Sequence, residues 1–303
     1  MKNAANVAEG LDRGINPRSQ QTMNIKVALR TRPLMPNFGV EILDVNVVTA
    51  GPEILDAVVD CFHRNGAIVL RGQTLSKVQQ LAFTRLFGEP EANARPEFCD
   101  PEFPEIYVIS NKIVNGKQIG DPRPGLGWHT DFSYGRNPAL CTLLHALEVP
   151  PVGSDTLFTD LCAVWDALPP ERQEELDGLV IHHSFAQLMH LRGLKLSREQ
   201  KAAYPDVFHP MVRRHPKDGR KALWVSTGTV KGVLDLPNPD GIKLVEDLVQ
   251  FAVQERFIYR HKWQVGDLLM WDNRCTLHRG TEFDFDNHFR HVHRTWVTGE
   301  VPA

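Results

Sequence analysis

The sequence predicts a mainly β protein with flanking helices, a double-stranded β-helix (jelly roll) built as one domain over residues 24–303. Three observations point there. After residue 105 the chain reads as short strands separated by turns, the texture of two stacked antiparallel sheets. Helical periodicity is confined to two early segments and to interruptions at about 162–177 and 239–255, which predicts helices on the outside of one sheet. A His-x-Asp pair at His129 and Asp131 and a third ligand type at His278 suit one shared site, so strands far apart in sequence must lie side by side.

The elements follow in order. Residues 1–23 mix Asn, Gly, Arg, Ser and Gln without periodicity and are expected to form a flexible tail that orders only against a partner subunit. The folded domain begins near Ile25. From Glu53 to Arg64, the residues Ile54, Leu55, Val58, Val59 and Phe62 share one helical face, and Gly66 stops the helix. Ala67 to Leu70 is then a buried strand. Ser76 is placed as the N-cap of a second helix that runs to Phe87. Residues 186–206 mix apolar and basic side chains with no sheet pattern, and read either as a lid over a site or as an ordinary surface insertion.

Composition narrows the function. With 303 residues, 42% of them hydrophobic, the chain can bury one large core. Its formal charge of −3 and its dispersed basic residues argue against nucleic acid, and the cluster Arg213, Arg214, His215, Lys217, Arg220 and Lys221 reads as a solvated loop. No apolar run is long enough to span a membrane and the N-terminus lacks a signal-peptide core, so the expectation is a cytoplasmic protein without a membrane partner. Five cysteines without Cys-x-x-Cys spacing read as reduced thiols.

The chemistry lies in His129-Thr130-Asp131. On a strand, His129 and Asp131 point the same way and can grip one metal ion, while Thr130 faces away. His278, on a strand folded back beside the first, completes two histidines and one carboxylate. That is the facial set of a mononuclear non-haem iron(II) oxygenase, whose open positions admit a bidentate cosubstrate and O₂. Downstream, Arg290, Val292 and Arg294 share a face if 289–297 is a strand, so two guanidiniums enter the same cavity as the metal. A guanidinium binds a carboxylate bidentately and stays charged, which suits it to the far end of a dicarboxylate such as 2-oxoglutarate.

With these residues in view, the chain resembles the iron(II)/2-oxoglutarate-dependent dioxygenases of the taurine dioxygenase and 2,4-dichlorophenoxyacetate dioxygenase group. The resemblance covers roughly residues 24–300 and is carried by several motifs in the right order. These are Val69 to Gln73, Leu86 to Pro90, Gly127 to Asp131, Pro150 to Thr156, and the run from Gly266 to Gly280. It implies His129, Asp131 and His278 as iron ligands, Thr156 and Arg290 as the pair that holds 2-oxoglutarate, and Arg294 as the contact for an anionic group of the substrate. It also implies a carboxylate substrate first, with a sulfonate or alkyl sulfate as the alternative. Phe257 to Trp263, Trp271 to Gly280, and Ile109 to Asn111 with Asn115 to Lys117 are similar to the aryloxyacetate branch. Two departures fall near the substrate. Thr130 stands where the phenoxyacetate enzymes tend to have serine, and the loop Gly120 to Gly127 is richer in glycine and proline. Asp131 itself argues for oxygen insertion, since the related halogenases have a small residue there.

Other positions carry two readings. Lys117, Arg95 and Asn111 fall where the family binds substrate, and an exposed polar side chain is the plain alternative for the two basic ones. Trp128 either walls the pocket or packs. His291 and His293 lie opposite the arginines by alternation. Two other classes use the same residues: a zinc hydrolase, for which no glutamate stands at a telling spacing to serve as base, and a non-catalytic binding protein on the same barrel. A symmetric dimer or tetramer is the expected assembly.

Overall fold

The computed structural model describes residues 27–303 except 37, 123, 124 and 126. The tail expected at 1–23 lies outside the described residues. Two sheets face one another. The larger has seven strands in the order Thr31–Met35, Phe38–Ile42, Ala67–Leu70, Leu268–Asp272, Ala139–Glu148, His291–Thr298 and Tyr107–Ser110. The smaller has Thr156–Asp160 at its centre, between Ile258–His261 and Thr276–Gly280. In these two sheets all neighbours are antiparallel except Phe38–Ile42 beside Ala67–Leu70. This is the jelly roll the turn-punctuated texture predicts.

Both faces of the larger sheet are buried, which is why its central strands are almost continuously apolar rather than alternating. Ala67, Val69, Leu144, Leu269, Trp271 and Val292 face inward and meet Phe158 from the smaller sheet. Phe158 is fully buried between the sheets, and truncating it to alanine would cost about 3–5 kcal/mol. Ile68, Leu70, Leu143, Leu268 and Met270 face outward against Val58, Phe62 and Phe83. The last three belong to the helices Pro52–Asn65 and Lys77–Thr84. The first of these stops where Gly66 turns left-handed at φ 69°, and the second begins with a capping box between Ser76 and Gln79.

The outer face of the smaller sheet is covered by the helices Leu161–Asp166, Pro170–Leu176 and Asn238–Ala252. Leu161, Val164, Leu176, Val245, Leu248 and Leu277 form one core there, and the Thr159 hydroxyl donates to the Ala252 carbonyl at 2.8 Å. The helical interruptions expected at 162–177 and 239–255 are these helices. Segment 186–206 contains two short helices, Phe185–Leu191, capped by Ser184, and Arg198–Ala203, with a Ser197–Gln200 capping box. Among the described residues, no helix is long and apolar enough to cross a membrane.

Candidate active site

The open end of the sandwich holds a cavity of about 900 Å³. His129 and His278 sit directly opposite one another in an isolated antiparallel bridge, each amide donating to the other's carbonyl at 2.9 Å. The strand expected around His129 is only this one bridge, because at Phe132 the chain turns left-handed, φ 55°. One bridge is enough. His129 and Asp131 turn to the same side, while the Thr130 hydroxyl points away and donates to the Thr276 carbonyl at 2.9 Å.

The donor atoms of His129, Asp131 and His278 all lie within 4.8 Å of one another. Asp131 stands 3.7 Å from the Nε2 atom of each histidine. The Nδ1 atom of His129 lies 2.7 Å from the Gly127 carbonyl, which fixes its proton there and turns the Nε2 lone pair toward the cavity. Burial lowers the pKa of both imidazoles. Burial pushes Asp131 upward, yet the Arg294 guanidinium, the two histidines and a hydrogen bond from Thr142 outweigh it and hold the carboxyl well below its usual range. All three side chains therefore stand deprotonated, as metal ligands must.

Asp131 is fixed from behind. The Thr142 hydroxyl donates to its Oδ2 at 2.7 Å, the Asn273 side chain donates to Thr142 at 2.9 Å, and Trp271 Nε1 donates to Asn273 at 3.0 Å. The Asp131 amide closes the network on Asn273 Oδ1 at 3.2 Å. Phe158 and Trp271 pack on the His278 ring, with centroids at 5.8 and 4.7 Å. His215, Asp272 and Cys275 form a second group of possible ligands. There the Asp272 carboxylate is already held by Arg274, at 2.8 and 2.6 Å, and by His215 at 3.1 Å. That buried network secures the turn leading to His278.

Both arginines expected on one face line the cavity with Thr156. Arg290 is buried, its Nε has no hydrogen-bond partner among the described residues, and desolvation alone pulls its pKa down to about 10. A buried cation in that state asks for an anion. Thr156 Oγ1 accepts from Trp263 Nε1 at 3.0 Å. Arg294 Nη2 lies 3.3 Å from Asp131 Oδ1, with the Tyr107 and Phe132 rings 5.8 and 5.3 Å from the guanidinium.

The remaining candidates separate. Arg95 lines the cavity but is held by Asp121 at 2.5 Å and Glu97 at 3.1 Å. Asn111 is not among the lining residues. It accepts from the Arg290 amide at 2.9 Å and donates to the His288 carbonyl at 2.9 Å, so it places the arginine. Lys117 lies exposed in the Ile113–Gln118 hairpin, away from the cavity, and Trp128 packs against the core beneath the smaller sheet. Sequence reasoning missed Thr142, Trp263 and the aromatic wall of Phe132, Tyr134 and Phe185. A threonine in a β run carries no local signal, and only its pairing with Trp271 and Trp296 on neighbouring strands brings Thr142 beside Asp131.

A jelly roll with two imidazoles, one carboxylate and a buried guanidinium whose Nε lacks a partner among the described residues, all at its open end, defines a mononuclear non-haem metal dioxygenase. The chain belongs to the taurine catabolism dioxygenase TauD, TfdA family, whose sequence profile matches residues 30–296. It is 39% identical over 267 residues to the alpha-ketoglutarate-dependent 2,4-dichlorophenoxyacetate dioxygenase of Cupriavidus pinatubonensis, covering 83% of this chain and 92% of that one. It is 32% identical over 234 residues to the (S)-phenoxypropionate/alpha-ketoglutarate-dioxygenase of Sphingobium herbicidovorans, covering 72% and 77%. The crystal structure of AAD-2 in complex with Mn(II) and N-oxalylglycine superposes with a TM-score of 0.77 at 29% identity, over 91% of this chain and 99% of that one.

Proposed function

We propose that this iron(II)/2-oxoglutarate-dependent dioxygenase hydroxylates a small carboxylate-bearing substrate, an aryloxyalkanoate before other acids. The observation that carries the reading is Arg290, a buried guanidinium whose Nε lacks a partner among the described residues and which faces the same cavity as the three ligands. The distal carboxylate of 2-oxoglutarate supplies what it lacks, and the Thr156 hydroxyl adds a second contact. His129, Asp131 and His278 hold the iron. Once bound, iron(II) with 2-oxoglutarate and O₂ supplies the oxidation that releases succinate and CO₂ and places one oxygen atom in a substrate C–H bond.

The protein's part is placement. Arg294 takes the anionic group of the substrate, and Phe132, Tyr134 and Phe185 offer an apolar wall for a ring. Hydroxylation beside an ether oxygen leaves a hemiacetal that falls apart, so an aryloxyacetate would yield a phenol. A sulfonate or alkyl sulfate is the second reading, because the same guanidinium accepts those anions equally well. The five free cysteines fit a reducing cytoplasm, and we expect a symmetric homo-oligomer, a dimer or tetramer.

The test is succinate formation by iron(II)-loaded protein with 2-oxoglutarate and O₂ across aryloxyacetates, other carboxylates, sulfonates and alkyl sulfates, with His129→Ala as control. Turnover above the substrate-free background, lost in the control, is the expected result. Succinate-free turnover, or activity that survives without O₂, would overturn the reading.

A further inference from the structure

Tyr107 has no part in the chemistry above, yet it lines the cavity and stands directly across from Arg294, on the edge strand Tyr107–Ser110. Its ring lies 5.8 Å from the Arg294 guanidinium, and the Phe132 ring lies 5.3 Å from it. Both rings are fixed. The Tyr107 hydroxyl donates to Asp121 Oδ2 at 2.8 Å and accepts from Arg95 Nη1 at 3.3 Å, and Arg95 donates to the same carboxylate oxygen at 2.5 Å. The Asp121 main chain is tied to the edge strand, its amide donating to the Val108 carbonyl at 2.8 Å and its carbonyl accepting from the Ser110 amide at 2.9 Å. Phe132, turned left-handed, stacks on Trp296 with the ring centroids 3.8 Å apart. Trp296 lies two residues beyond Arg294 and shares its face of the strand His291–Thr298. With its hydroxyl engaged as donor and as acceptor, Tyr107 offers the cavity a ring face rather than a hydrogen bond.

We propose that Tyr107 is a positioning residue for the substrate anion: with Phe132 it clamps the Arg294 guanidinium in place when Asp131 is engaged as a metal ligand. The inference rests on the 2-oxoglutarate dioxygenase reading, in which Arg294 meets the anionic group of the substrate, and deepens it. Arg294 Nη2 lies 3.3 Å from Asp131 Oδ1, while its Nε has no hydrogen-bond partner among the described residues. A divalent ion held by His129, Asp131 and His278 competes with Arg294 for the charge of Asp131, so this ion pair weakens as the metal binds. The clamp does not. An aromatic face attracts a cation without occupying its N–H donors, so the guanidinium stays where it is and its donors are left to the cavity. Metal and anionic substrate are thereby coupled through Arg294, each strengthening the binding of the other. A neutral substrate draws no such gain from the metal.

The experiment uses the full-length protein with 2,4-dichlorophenoxyacetate, or with whichever acid of the panel above turns over fastest. Tyr107→Leu, which removes the ring, is expected to raise the KM for the acid about three- to thirtyfold, the span of one cation–π contact. The KM for 2-oxoglutarate should hold, and Tyr107→Phe, which keeps the ring but not its brace, should fall between Leu and the wild type. In kcat/KM for the acid, Tyr107→Leu and Arg294→Gln should combine to less than the product of their separate effects, since the first acts through the second. A second readout is calorimetric titration with the acid in the presence of 2-oxoglutarate and without O₂. Iron(II) should tighten the wild-type Kd about 5–150-fold, the usual span of coupling between two sites, and Tyr107→Leu should shrink that gain. An unmoved KM for the acid in Tyr107→Leu, an equal rise in the KM for 2-oxoglutarate, or the same iron-dependent gain in variant and wild type overturns the role of Tyr107 alone. Absence of wild-type succinate with every acid tried overturns the functional reading and this inference with it.

Discussion

The Thr142 hydroxyl donates a 2.7 Å hydrogen bond to Oδ2 of Asp131 and is itself held by Asn273 at 2.9 Å. A carboxylate with one oxygen tied back in this way presents the other toward the histidines. Outer contacts of this kind set both the orientation and the basicity of a ligand.

Replacing Thr142 by valine keeps the shape and removes the donor. Iron(II) affinity should fall about 10–100-fold, with Thr142→Ser close to the wild type. Metal titration by competition with a chelator reads this directly. An unchanged affinity in the valine variant would show the bond to be structural only.

Arg290→Met should separate function from stability. The KM for 2-oxoglutarate should rise at least tenfold, since a bidentate, charge-assisted contact is lost. The ligand-free variant should melt higher than the wild type, by roughly 2 °C for each kcal/mol recovered from the uncompensated buried charge. A melting point lowered in both the free and 2-oxoglutarate-bound states would count against an unpaired cation at this site.

Stability should fall with acid well above the range of the carboxylates. His183 is fully buried, and burial pushes its pKa down to about 3, while burial takes His293 to about 4. From pH 6.5, the ordinary value for histidine, down to these values, the unfolded chain binds protons that the native protein refuses. Stability is therefore full above that window and declines as pH falls through it. Urea midpoints at pH 7, 5.5 and 4 test the slope, which His183→Asn should flatten. The same slope in the variant would refute the assignment.

Gly153 turns left-handed, φ 78°, three residues before Thr156, and a Cβ there would stand 2.5 Å from the Glu282 carbonyl oxygen. Gly153→Ala should cost about 1–3 kcal/mol and raise the KM for 2-oxoglutarate, because the displaced turn carries the start of the Thr156–Asp160 strand. Chemical denaturation together with steady-state kinetics checks both effects.

The local order of the chain is legible without a structure. The Pro52–Asn65 helix, its Gly66 stop, the Ser76 cap and the buried strand from Ala67 follow from spacing and capping chemistry, which depend on near neighbours only. His129, Asp131, His278, Arg290 and Arg294 were legible too, because ligand chemistry admits few residue types and alternation puts the arginines on one face. The two short helices Phe185–Leu191 and Arg198–Ala203 were hidden, although the Ser197 to Gln200 pattern marks one of them, since a six-residue helix has too little periodicity to detect.

By itself, then, the sequence determined the fold class and singled out the His-Asp-His group and the two arginines that come together at one cavity. Only the tertiary structure decided which polar neighbours act on them. Asn111 became a brace for Arg290, Lys117 a hairpin surface residue, Arg95 a partner of Asp121, and Thr142 the support of Asp131. The reason is physical: a donor set is fixed by the chemistry of single side chains, whereas the partner of a side chain is fixed by sheet register, and register joins residues that no local pattern relates.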